Sequence, residues 1–85
     1  MAKVLVVFRI LPKEDADIDE LEKRVANSIL PERIEREPIA FGLIALKASK
    51  LLEDKEGEIQ KIEEKLNSIE LISQVEVVEV TRTLV

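Results

Sequence analysis

Apolar positions along this chain follow two periods, and the alternation between them predicts the order of its elements. From Val4 to Leu11 (Val-Leu-Val-Val-Phe-Arg-Ile-Leu) every position but Arg9 is apolar, the pattern of a strand apolar on both faces and central in its sheet, and Pro12 stops it. Ile18, Leu21, Val25 and Ile29 then recur at spacings of three and four, one face of a helix. Asp17 is placed to cap its open amides, with Glu20 completing a capping box. Asp19 with Lys23 and Glu20 with Arg24 are four-residue ion pairs on the wet side. Pro31 disfavours helical geometry at Leu30 and ends the helix there.

Arg33 to Glu37 is a short charged extended segment, and Pro38, which has no backbone donor, suits an edge strand. A hairpin follows, then a strand from Leu43 to Leu52 and a loop, Glu53-Asp54-Lys55-Glu56-Gly57. Ile59, Ile62, Leu66 and Ile69 repeat the helical spacing, with an end expected between Ser68 and Leu71. Val75 to Thr83 closes the chain as a partly alternating strand.

The two halves echo each other at an offset of 41 residues: Ile18 with Ile59, Leu21 with Ile62, Val25 with Leu66, and Leu5, Arg9, Ile10 and Leu11 with Leu46, Lys50, Leu51 and Leu52. Tandem β-α-β units with right-handed crossovers predict an α+β, ferredoxin-like βαββαβ sandwich. It has a four-stranded antiparallel sheet with two helices on one face, its first and third strands central and expected to run parallel.

Composition narrows the chemistry. Eighty-five residues predict one domain, 1–85, with one core. No run approaches the ~20 apolar residues that span a bilayer, so a soluble, unexported, cytoplasmic protein without a membrane partner is expected. Cysteine and histidine are both absent, which removes disulfides, thiolate metal sites, histidine acid–base work and a Ser-His-Asp triad; no metal, cofactor or catalytic residue is assigned. A net charge of −5 argues against direct nucleic-acid binding. Charged residues at 36%, mostly Glu and Lys, match the composition of proteins from very hot organisms.

Several constellations resolve into ordinary roles. Asp15, Asp17 and Asp19 alternate like the start of a calcium loop, but Glu20 stands where that loop needs glycine and Ala26 where it needs a bidentate acid, so a helix cap is the better reading. Glu53, Asp54, Glu56, Glu58, Glu63 and Glu64 lie in the polar register of a helix and its entry loop, a solvated face. Ala40-Phe41-Gly42-Leu43 is similar in placement to the stacking strand of the RNA-recognition motif, but the further aromatics are missing. The loop from Pro12 to Asp17 is acidic and lacks glycine, which removes a phosphate cradle for acyl-phosphate hydrolysis.

What remains is Glu37-Pro38-Ile39-Ala40-Phe41-Gly42-Leu43-Ile44-Ala45-Leu46, which holds a proline, a glycine and one of only two aromatic rings in the chain. Two readings of Phe41 stand side by side: a core ring entering a strand, or an anchor held on a bend for a partner's pocket.

With Lys3-Val4-Leu5-Val6-Val7-Phe8 before it and Val77-Val78-Glu79-Val80-Thr81-Arg82 after it, this stretch resembles elongation factor 1-beta of the archaeal type. The resemblance implies a guanine-nucleotide exchange factor for the translational GTPase elongation factor 1-alpha, with no covalent chemistry of its own. It implies that Pro38, Ile39, Ala40, Phe41 and Gly42, together with the C-terminal Arg82, Leu84 and Val85, face the GTPase, with Phe41 entering its surface. Eukaryotic members present a lysine one place before the C-terminus; Leu84 stands there, and Arg82 is the nearest cation. Two other classes fit the same fold: a module binding a small ligand through a dimeric sheet, and a non-catalytic subunit of a translation complex.

Overall fold

The computed structural model describes residues 2–83. Its elements run β1 (Lys3–Pro12), α1 (Ile18–Ile29), β2 (Arg33–Pro38), a single 3-10 turn (Ala40–Gly42), β3 (Ile44–Glu53), α2 (Glu58–Asn67) and β4 (Ile72–Thr83). The four strands form one sheet in the order β2-β3-β1-β4 with every neighbouring pair antiparallel, the ferredoxin-like arrangement expected. One detail is corrected: the central strands β1 and β3 are antiparallel, not parallel. A crossover helix returns the chain to run beside its starting direction, so the parallel partners are β1 and β2; the hairpin then reverses β3 into the gap between them.

Alternation along β1 sends Val4, Val6, Phe8 and Ile10 toward the helices, where they meet Leu21, Val25 and Ile29 of α1 and Ile62 and Leu66 of α2. Leu46, Ala48 and Leu52 of β3 and Ile72 of β4 complete the core. Leu5, Val7, Arg9 and Leu11 therefore lie on the uncovered face. The internal echo holds for the helices, where Leu21 and Val25 match Ile62 and Leu66 as core residues. It fails for the strands, because an odd offset reverses the face: Leu46 is in the core while Leu5 is on the uncovered side.

The Val77-Val78 doublet in β4 breaks strict alternation for a structural reason. Val7 pairs with Glu79 but Phe8 with Val77, so Val78 is an extra, bulged residue. The bulge puts Glu76 and Glu79 on one face of the sheet and Val77 and Val80 on the other. Without it, one glutamate would turn toward the helices. β4 also begins three residues earlier than its alternation predicted, at Ile72, which pairs with Pro12.

Asp17 caps α1, its carboxylate accepting from the Asp19 amide at 2.9 Å. The capping box does not close, since Glu20 accepts instead from Arg24 Nε at 3.3 Å. Asp19 bonds to Arg36 of β2 rather than pairing with Lys23, and Glu22 accepts from Arg36 Nε at 2.9 Å. These hydrogen bonds, Asp19's first and then Glu22's, hold the Arg36 guanidinium above its usual pKa. Among the described residues no helix is long and apolar enough to cross a membrane.

Helix α1 ends as Pro31 requires, but with Leu30 in the left-handed region (φ 47°, ψ 60°) and its side chain 70% exposed. The Leu30 amide bonds Ala26 O, and Lys50 Nζ donates to the Leu30 carbonyl at 3.0 Å, supplying the cation that the last turn of α1 lacks. Glycine suits this backbone better than a Cβ-bearing residue. Leu30→Gly is expected to raise stability by about 0.5–1 kcal/mol, read as a higher midpoint in urea with an unchanged m-value.

Candidate functional site

β2 and β3 pair down to Pro38 and Ile44, leaving residues 39–43 as the loop between them. The Ile39 amide donates to Leu43 O at 2.8 Å and the Leu43 amide to Ala40 O at 3.4 Å, which closes the loop into one tight turn. Two successive residues at its tip have positive φ, Phe41 at 63° and Gly42 at 75°. A Cβ on Gly42 would meet nothing within 4 Å, so the glycine serves the backbone angle and not a close contact. Phe41 has no such excuse. An L-residue in the left-handed region costs roughly 1–2 kcal/mol.

That cost is not recovered by burial, because Phe41 is 98% exposed. The core reading of this ring is therefore corrected: the turn carries it outward, away from the helices that cover the other aromatic, Phe8. Half-exposed Leu43 and Ile44 extend the apolar surface from the tip into β3. Beside them a cleft of about 210 Å³ runs between the hairpin and the β1–α1 loop, with Pro12, Ala16 and Ile18 on its far wall.

The remaining sequence-derived positions do not join this patch. Arg82 pairs in register with Val4, and Val4 with Leu52, so it sits at the far end of the sheet from Ile44. Eight residues of β3 separate those ends, roughly 27 Å at the rise of an antiparallel strand. Arg82 is itself engaged there, its guanidinium 3.5 Å from Asp54. Leu84 and Val85 lie outside the described residues. Pro38, Ile39, Ala40, Phe41 and Gly42 thus form one constellation and Arg82 another.

Sequence reasoning overlooked the base of the hairpin. Arg9 Nε donates to Glu37 Oε1 at 3.0 Å, tying the residue before Pro38 to the central strand. The signal was available, since Arg9 is the one charge inside an otherwise apolar strand. Reading its partner required the sheet order.

Comparison with known proteins identifies the family of the sequence. A family model described as the EF-1 guanine nucleotide exchange domain matches residues 5–83. Among similar proteins, elongation factor 1-beta of Desulfurococcus amylolyticus is 43% identical, over 96% of this chain and 98% of its own length. Elongation factor 1-beta of Pyrococcus horikoshii is 40% identical over 89% of this chain and 90% of its own. That of Methanosphaera stadtmanae is 36% identical over 99% and 100%.

Proposed function

This chain belongs to the EF-1 guanine nucleotide exchange domain family, and from that premise we propose that it promotes GDP release from the translational GTPase elongation factor 1-alpha, with the Phe41 hairpin entering the GTPase. The observation that carries the reading is a single ring, 98% exposed at the tip of a turn whose backbone is strained to hold it there. Strain of this kind persists where the surrounding structure over-determines it, and it clusters at contact sites. A rigid aromatic presented in advance loses little freedom on binding, which is how a few residues come to dominate an interface.

Exchange of this kind needs no bond-making by the factor. It accelerates release if it binds the nucleotide-free or magnesium-depleted GTPase more tightly than the GDP-bound form, each tenfold preference being worth ~1.4 kcal/mol. Linkage makes the effect reciprocal, so rebinding of nucleotide expels the factor. Phe41, flanked by Pro38, Ile39, Ala40 and Gly42, supplies the wedge. The C-terminal Arg82, Leu84 and Val85 belong to a second contact. A GTPase touching both Phe41 and Arg82 reaches across the length of β3, roughly 27 Å, rather than one spot.

Stopped-flow release of fluorescent GDP from the cognate GTPase tests the reading. The expected result is a release rate that rises with added factor and saturates. Binding without faster release would mark a non-catalytic subunit, and no binding would sink the assignment.

A further inference from the structure

Resting on that reading, we propose that Arg9 and Glu37 form a positioning pair that preorganises the Phe41 hairpin. Arg9 stands on β1 and Glu37 on β2, so their contact passes over β3, a distance of two strand spacings, roughly 10 Å between backbones. Across the uncovered face the residues directly opposite Arg9 are Lys47 on β3 and Glu76 on β4. The guanidinium goes to neither. It reaches diagonally toward the hairpin, to Glu37, whose register partner on β3 is Ala45. Ala45 is fully buried although it faces the side of the sheet that no helix covers. A methyl group at that position leaves room for the bridge to cross, and the bridge in turn shields the methyl.

The location fits the task. β2 is an edge strand, held by β3 on one side only, and its ladder ends at Pro38, just where the loop begins. A side-chain tie one residue earlier fixes the strand that the ladder holds least well. The turn beyond it is strained at Phe41 and needs such support to keep its angle. Both partners are about one-third exposed, which shields the pair more than the other, wetter ion pairs of β2, Arg33–Glu35, Arg36–Asp19 and Arg36–Glu22.

The test compares Arg9→Met with the native chain. A preorganised hairpin predicts that the factor concentration giving half-maximal GDP release rises roughly three- to tenfold while the saturating rate stays within about twofold. Amide hydrogen exchange at Ile39 and Leu43 should quicken by a similar factor, read on the isolated protein. Ala45→Leu, which blocks the crossing without removing a charge, should reproduce both effects, and Arg9→Glu combined with Glu37→Arg should reverse them. On a Phe41→Ala background the effect of Arg9→Met on release should vanish. An unchanged half-maximal concentration with unchanged amide exchange overturns the proposal, as does an undiminished effect on the Phe41→Ala background. If the native chain fails to release GDP, the exchange reading falls, and the amide measurement still decides whether the pair holds the hairpin.

Discussion

Replacing Phe41 by alanine is expected to lower the second-order efficiency of GDP release by roughly two orders of magnitude, the scale of a central aromatic hot spot, while leaving the fold's stability within about 0.5 kcal/mol of native. The two halves of that expectation come from one number. A side chain that is 98% exposed removes almost no apolar area from water in the free protein, so its deletion opens no cavity. The backbone strain at φ 63° remains with alanine and therefore cancels in the comparison. Phe41→Gly relieves that strain, and should leave the protein slightly more stable yet as poor in exchange as the alanine variant. Phe41→Tyr keeps the ring and should retain most of the activity. Full activity in Phe41→Ala, checked alongside an unchanged urea midpoint, would move the contact surface elsewhere on the molecule.

How much of this was legible beforehand depends on which physical signal each feature leaves in the chain. Helical spacing is strong, and Leu21, Val25, Ile62 and Leu66 were placed in the core by period alone, where they are buried. The Val77-Val78 doublet read as imperfect alternation, because a bulge is visible only once the partner strand shows which residue is skipped. Strand direction was misread because two successive β-α-β units suggest parallel neighbours, whereas the parallel partners lie one strand apart. At the hairpin, Pro38 and Gly42 announced a turn, but nothing local decides whether a ring beside a glycine points in or out. That depends on the φ of Phe41 itself, a consequence of fitting five residues between Pro38 and Ile44. The Arg9–Glu37 contact bridges residues 28 apart in sequence, across a strand that carries neither, and no periodicity reports such a pair.

Phe8→Ala is expected to have the largest effect on stability, a loss of about 3–5 kcal/mol. Phe8 is fully buried at the middle of β1, paired with Ala48 on β3 and Val77 on β4. Ala48 is small, so the ring fills the space that a larger neighbour on β3 would occupy beneath the helices. Leu21, Val25 and Leu66, all fully buried in the same cluster, cannot follow an alanine into that space without leaving their own contacts. A chain of 85 residues has a total stability of roughly 4–13 kcal/mol, so the variant forfeits about a quarter of it or more. The urea midpoint should fall steeply at an unchanged m-value, and Phe8→Leu, which keeps most of the volume, should lose less than about 1.5 kcal/mol. Below its own melting temperature, Phe8→Leu should still release GDP at a near-native rate. The chain's two phenylalanines then separate by experiment as they do by position: Phe8 carries the fold and Phe41 carries the contact. A loss under 1 kcal/mol in Phe8→Ala would mean that the core closes around a different residue.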